Sequence, residues 1–244
     1  MILEVPCGNM ESVLAAKQGG ADRIELCSAL KLGGLSPSFA LLDAIKNIQM
    51  EIVVMIRPRE GNFNYSKEEF EIMLKEINYF KNAGAKGFVS GVLTSDMEID
   101  FERTKKLIEA SNPLSFTFHR AFDLTKDPFK SIDSLLELSV DRLLTSGQAP
   151  DAFSGRKLIS ELVDLSKNKI QIIAGAGVNP ENVAAICNSG IHAIHLSGIK
   201  KNNVVKTEIL PSVFMGKQGI DDSAFDVTDA DVIRQVRKII DSRK

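Results

Sequence analysis

The chain has 244 residues, of which 44% are hydrophobic, and a formal net charge of −2. This length and composition predict one large domain, and the near-neutral charge argues against nucleic-acid and membrane-surface partners, which would need a basic face. No apolar run approaches the roughly 20 residues of a membrane span, and the three cysteines are too few for a disulfide scaffold. We therefore expect a cytoplasmic protein with reduced thiols.

Eight apolar stretches are typical of buried strands, and each is followed by a helical segment or a helix start. In chain order, the predicted strands are residues 2–6, 22–27, 51–57, 84–91, 114–119, 141–146, 170–174 and 192–197. The clearest helix starts are Asn9, Ser36-Pro37, the capping box Ser66–Glu69, Asp100, Asp127-Pro128 and Asn179-Pro180-Glu181.

Strict alternation of strands and helices predicts a parallel sheet, and eight units predict a closed (β/α)8 TIM barrel in a single domain, 1–244. The units occupy residues 1–198, followed by an irregular arm over 199–228 and a helix over 229–241. The alternative is an open, doubly wound sheet, which the number of units and the absence of an early G-x-G-x-x-G motif disfavour.

Function in such barrels lies at the C-terminal ends of the strands, and side chains along a strand alternate between its two faces. Alternation directs Glu4 and four further polar residues into the barrel mouth. The four predicted catalytic residues are Glu25, Arg57, His119 and His195. The alternative is an internal ion network that satisfies only itself, for instance Glu25 with Arg57.

A second signal follows the seventh and eighth strands. Gly175 and Gly177 lie in a loop that is predicted to lead into a helix N-terminus, and Ser197 ends the eighth strand. Backbone N–H groups and a helix dipole favour anions, so these three residues form a predicted anion-binding site. The alternative is that the glycines only form tight turns.

The cysteines offer a third possibility, a copper site. Cys27 points inward at a strand end, where a thiolate could bind Cu(I), and such a site needs at least two soft ligands. Cys7 is the candidate partner, although strict alternation directs it outward unless the first strand ends at Pro6. The alternative is that both are ordinary buried cysteines.

Seven motifs in this order resemble the copper homeostasis protein CutC family. They are GADRIELC (20–27), GGLSPS (33–38), MIRPR (55–59), FNYS (63–66), TFHRAFD (117–123), LTSGQ (144–148) and AGAGV (174–178). The resemblance implies a (β/α)8 barrel, a cytoplasmic homo-oligomer, and Cu(I) bound by cysteines after the first two strands. Cys27 matches that motif, whereas Pro6 stands where many members have a cysteine.

Two functions therefore remain open. The first is a copper homeostasis protein that binds Cu(I) through Cys27 and Cys7. The second is a barrel enzyme that acts on a small phosphorylated or carboxylated metabolite, because a metal carrier does not need the charged residues predicted at the mouth.

Overall fold

The computed structural model describes residues 1–203 and 223–243. Its centre is a closed barrel of eight parallel strands that pair in chain order, with β8 pairing back onto β1. The strands are β1 (Ile2–Cys7), β2 (Arg23–Leu26), β3 (Glu51–Met55), β4 (Gly87–Ser90), β5 (Ser115–Phe118), β6 (Arg142–Thr145), β7 (Gln171–Gly175) and β8 (Ala193–His195). The predicted (β/α)8 TIM barrel is confirmed.

Eight α-helices accompany the strands in the described part of the chain. They are α1 (Met10–Gly19), α2 (Phe39–Ile45), α3 (Lys67–Asn82), α4 (Phe101–Ser111), α5 (Pro128–Glu137), α6 (Arg156–Ser166), α7 (Val183–Cys187) and α8 (Ala230–Asp241). The predicted capping box at α3 is confirmed, because Ser66 Oγ accepts from the Glu69 N–H and the Glu69 side chain accepts from the Ser66 N–H. No helix in this part of the chain is both long and apolar enough to cross a membrane.

Two predicted helix starts were misplaced. The N-cap of α2 is Ser38 rather than Ser36, because Ser36 Oγ instead accepts from the Arg57 backbone N–H. The helix α7 begins only after Asn182, because the Asn179 side chain holds a turn before it by accepting from the N–H groups of Glu181 and Asn182. As a result, α7 is only five residues long.

The two faces of the barrel wall differ in chemistry, as alternation predicts. Leu3, Val5 and Ile24 face outward into the large apolar core beneath the helices. On the intervening positions, Glu4 is fully buried and forms an ion pair with Arg23. The inner face therefore holds charged groups that only partners inside the barrel can stabilise.

The predicted irregular arm over 199–228 is partly wrong. Its described ends are two antiparallel strands, β9 (Ile199–Asn203) and β10 (Ala224–Thr228), and its middle lies outside the described residues. The hairpin docks beside α1, where the Thr228 N–H donates to Ser12 Oγ. The sequence did not predict these strands because neither shows a clear alternation of apolar and polar residues.

The last helix, α8, packs closely against α1. A Cβ atom at Gly19 would lie 2.5 Å from the Cβ of Ile233, so only glycine permits this approach. Arg237 on α8 also donates to Asp22, whose carboxylate accepts from the Leu3 N–H on β1. These contacts link the C-terminal helix α8 to the first strand of the barrel.

Candidate functional site

A cavity of about 490 Å³ lies at the C-terminal ends of the barrel strands. Its wall includes all four predicted catalytic residues and two of the three predicted anion-binding residues: Glu25, Arg57, His119, His195, Gly177 and Ser197. Gly175, Cys7 and Cys27 do not line it. The structure thus brings the predicted polar residues to one mouth and leaves the two cysteines outside it.

Glu4 anchors the histidine at the end of β8. One carboxylate oxygen of Glu4 lies 2.7 Å from His195 Nδ1, and the other accepts from Arg23 Nε at 2.5 Å. Burial opposes ionisation of Glu4, but the hydrogen bond and charge of His195, together with the charge of Arg23, outweigh it and lower the pKa of Glu4 to about 2. An ionised Glu4 accepts the Nδ1 hydrogen of His195, which directs Nε2 away from Glu4.

Glu25 is the unusual carboxylate of the mouth. Its side chain is buried, its Oε1 has no hydrogen-bond partner within the described residues, and its Oε2 lies 3.9 Å from His195 Nε2. Burial raises the pKa of Glu25 to about 7, with the charge of Glu4 adding to the rise and the charge of His195 opposing it. For His195, the charges of Glu25 and Glu4 overcome burial and raise the pKa.

Arg57 is held as a fixed positive charge. Its Nη1 donates to the carbonyl oxygens of Leu32 and Gly34, and its Nη2 donates to the carbonyl oxygen of Gly61. The guanidinium carbon also lies 4.8 Å from the ring centroid of Phe63. The predicted alternative, an ion pair between Glu25 and Arg57, is not among the ion pairs of the described residues.

His119 follows β5 and is buried against Phe63, with the two ring centroids 4.8 Å apart. Its Nδ1 accepts from the Ala121 backbone N–H at 3.3 Å, so the neutral ring carries its hydrogen on Nε2. Burial and the charge of Arg57 lower the pKa of His119 to about 3. A Cβ atom at position 91 would lie 2.6 Å from this ring, so Gly91 makes room for it.

Sequence reasoning missed two charged residues of the cavity wall, Arg120 and Asp123. They lie on a short 3₁₀ helix directly after β5, where strand alternation no longer applies. The Asp123 carboxylate accepts from Thr145 Oγ1, from the Ser146 N–H and from Arg120 Nε. Asp123 thus joins this helix to the end of β6. In the sequence, only its place in the TFHRAFD motif indicated a functional residue.

The predicted anion loop differs from expectation in its geometry. A Cβ atom at Gly175 would lie 2.8 Å from Leu144 and 3.2 Å from His195, so this glycine makes room for the histidine. Gly177 has φ +65° and would collide with Asp151 if it carried a side chain. Five residues separate Gly177 from the start of α7, so the loop does not lead directly into a helix.

The two cysteines lie on opposite faces of the barrel wall. Cys7 is still part of β1 and packs in the outer core, whereas Cys27 packs inside the barrel with Val53, Met55 and Val89. Burial raises the pKa of each thiol, which disfavours the thiolate that binds a metal. The two thiols therefore belong to different apolar clusters, and burial favours the protonated form of each.

Glu4, Glu25 and His195 form the only cluster of three or more His, Cys, Asp and Glu side chains in the described residues whose atoms are close enough to share a metal ion. Both oxygens of Glu4 are already engaged, by His195 and Arg23. That leaves one carboxylate and one ring nitrogen, fewer ligands than a stable site needs. The cluster is better suited to moving a proton than to holding a metal.

The fold and this mouth define a class: a (β/α)8 barrel with a buried glutamate–histidine pair and a fixed positive charge around a cavity at the C-terminal ends of its strands. The CutC family model matches residues 1–200, and a CutC family protein of Pasteurella multocida (strain Pm70) is 42% identical over 243 residues, covering 99% of both chains. The chain belongs to the CutC family.

Solved structures agree with this assignment. The crystal structure of a CutC protein from Streptococcus agalactiae, which is named for copper homeostasis, is 33% identical, with a TM-score of 0.76, covering 80% of this chain and 97% of that one. A 3-hexulose-6-phosphate synthase from Salmonella typhimurium covers both chains fully with a TM-score of 0.61, but at 15% identity it shows the fold alone. Copper binding, homo-oligomerisation and cytoplasmic location stay predictions.

Proposed function

We propose that the barrel mouth is the active site of an enzyme that transfers a proton on a small anionic molecule, with Glu25 as the acid–base group. The observation that carries this proposal is a buried carboxylate in the cavity wall whose Oε1 has no partner in the described structure. A carboxyl group with a pKa of about 7 is poised to give or take a proton at neutral pH. A merely structural carboxylate would be hydrogen-bonded, as Glu4 is.

His195 is the partner of Glu25 in this proposal. Glu4 holds its Nδ1, so the ring presents Nε2 toward Glu25, 3.9 Å away. A proton taken up by Glu25 thus lies next to a second group that can accept or return it. Arg57 supplies the positive charge that favours an anionic substrate, since it has no carboxylate partner among the described ion pairs.

The first test is the titration of Glu25 itself. With ¹³C-labelled glutamate, the carboxyl resonance that disappears in Glu25→Gln should titrate near neutral pH. Glu60→Gln, at an exposed position, is the matched control and should leave that resonance in place. A midpoint at the ordinary value of about 4.3 would contradict the proposal.

The second test looks for the chemistry. The protein is incubated in D₂O with a panel of small carboxylated and phosphorylated carbonyl compounds, and exchange at carbon is followed by ¹H NMR. Exchange that stops in Glu25→Gln and continues in Glu60→Gln supports the role of Glu25. Exchange that continues at the wild-type rate in Glu25→Gln contradicts it.

Copper binding is a second candidate, supported by the name of the Streptococcus agalactiae relative and by one observation. Cys27 and Met55 pack together on the inner face, so two sulfur atoms of the kind that Cu(I) prefers are neighbours there. An anaerobic Cu(I) titration against a competing chelator tests this candidate, with Cys187→Ser as control. One equivalent lost in Cys27→Ser supports it, and binding that is indifferent to Cys27 contradicts it.

A further inference from the structure

Two buried N–H groups in the cavity wall have no hydrogen-bond partner anywhere in residues 1–203 and 223–243. They are Nε of Arg57, whose guanidinium also interacts with the Tyr65 hydroxyl, and Nε2 of His119. Buried polar groups are almost always paired, and those that are not commonly await a ligand or an ordered water. Both side chains line the same cavity, so a ligand there lies beside both residues.

The surrounding contacts fix both donors in place. Three backbone carbonyl groups hold the terminal nitrogens of Arg57, so its guanidinium cannot turn to seek another partner. The ring of Phe63 touches both groups, with Arg57 Cζ and the His119 ring each 4.8 Å from its centroid. Donors that are positioned before a ligand arrives need no reorganisation to bind it.

His119 acts in this pair as a hydrogen-bond donor and not as an acid. Its Nδ1 is occupied by the Ala121 N–H, so the hydrogen lies on the unpartnered Nε2. The nearby charge of Arg57 and the burial of the ring keep it neutral at physiological pH. The pair therefore offers one full positive charge and two separate N–H groups.

The position of the pair in the barrel matters as well. His119 follows β5, which lies four strands from β1 in the closed ring of eight, so it stands across the mouth from Glu4 and His195. A molecule held by Arg57 and His119 would lie close to Glu25, because β2, which carries Glu25, pairs with β3, the strand that precedes Arg57.

We propose that Arg57 and His119 form a subsite for the carboxylate group of the small molecule on which Glu25 acts, one oxygen taking each N–H. This inference rests on the proposed function and names its substrate class. A single carboxylate matches one positive charge and two donors, whereas a phosphate dianion carries more charge and more oxygens than the pair can satisfy. Ligands of the carboxylate class are thus preferred over phosphate at this position.

The test uses oxalate as the carboxylate probe and inorganic phosphate as the alternative anion. The chain has three histidines, so a protein labelled with ¹⁵N only in histidine gives three sets of ring resonances, assigned with single variants. Oxalate should move the His119 Nε2 resonance, and His192→Phe, at the other end of the barrel, should bind oxalate like the wild type. Phosphate should bind at least tenfold more weakly.

Variants at position 119 separate a ligand contact from a structural role. His119→Phe keeps a ring but removes the N–H group, and should weaken oxalate binding at least tenfold. His119→Gln restores an N–H donor and should recover part of that affinity. Equal binding in all three proteins, absence of oxalate binding to the wild type, or tighter binding of phosphate than of oxalate would overturn the subsite.

The two proposals can fail separately. If oxalate does not bind while Glu25 still titrates near neutral pH, the subsite is wrong and the acid–base role stands. If Glu25 titrates at its ordinary pKa while oxalate binds through His119, the acid–base role is wrong and the mouth is a carboxylate-binding site only.

Discussion

Replacing Glu25 by Gln should remove a loss of folding stability that the wild type undergoes at neutral and alkaline pH. The pKa of Glu25 is raised from 4.5 to about 7, so the folded state holds its proton more tightly than the unfolded state. Protonated Glu25 stabilises the folded state, and this stabilisation is fully present below about pH 4.5 and is lost as the pH rises through about 7. At about 1.4 kcal/mol per pKa unit, the loss amounts to roughly 3 kcal/mol at alkaline pH.

The assay is urea unfolding of the wild type and Glu25→Gln at pH 5 and pH 8. The stability of the variant relative to the wild type should rise by roughly 2–3 kcal/mol between these pH values, since most of the titration falls between them. Comparing the two pH values cancels any constant cost of burying the new amide. A difference that does not change with pH, or one equal to that of Glu60→Gln, would refute the raised pKa.

Three further predictions concern the supporting residues. Glu4→Gln should have the opposite effect on stability to Glu25→Gln, because the pKa of Glu4 is lowered to about 2. The stabilisation by ionised Glu4 is present above pH 4.5 and is lost as the pH falls through 2, so the variant should have a free energy of unfolding roughly 3 kcal/mol lower than the wild type at pH 7, measured by urea unfolding. Gly91→Ala places a Cβ atom 2.6 Å from the His119 ring and should cost about 1–3 kcal/mol while shifting the His119 NMR resonances; an unshifted ring would contradict this contact. Asp123→Ala removes the acceptor of the Ser146 N–H and should lower stability by about 1–3 kcal/mol, and an unchanged melting temperature would show that the junction is not structural.

Strand alternation carried most of what the sequence predicted about the site. It depends only on backbone geometry, so it correctly directed Glu25 and His195 inward without knowledge of their neighbours. It also directed Cys7 outward, where the structure places it, because β1 continues through Pro6 to Cys7.

Contacts made by loops were beyond such reasoning. The three carbonyl groups that hold Arg57 belong to two loops, one after β2 and one after β3, and backbone groups leave no signature in side-chain patterns. Arg120 and Asp123 lie on a 3₁₀ turn after β5, where neither a period of two nor one of 3.6 applies. The strands β9 and β10 were missed because they show no clear alternation of apolar and polar residues and lie outside the barrel, where Thr228 contacts α1.

The docking of α8 on α1 has a consequence for where this protein can be divided. Similarity to the family model ends at residue 200, yet α1 is built to receive a helix that begins thirty residues later. The missing side chain of Gly19 leaves space that Ile233 occupies, and the Ser12 hydroxyl oxygen accepts from the Thr228 N–H. A fragment that ends at residue 200 would keep every strand of the barrel but would expose to solvent the surface of α1 that α8 covers in the full chain. The cooperative unit is therefore longer than the segment that the family model matches.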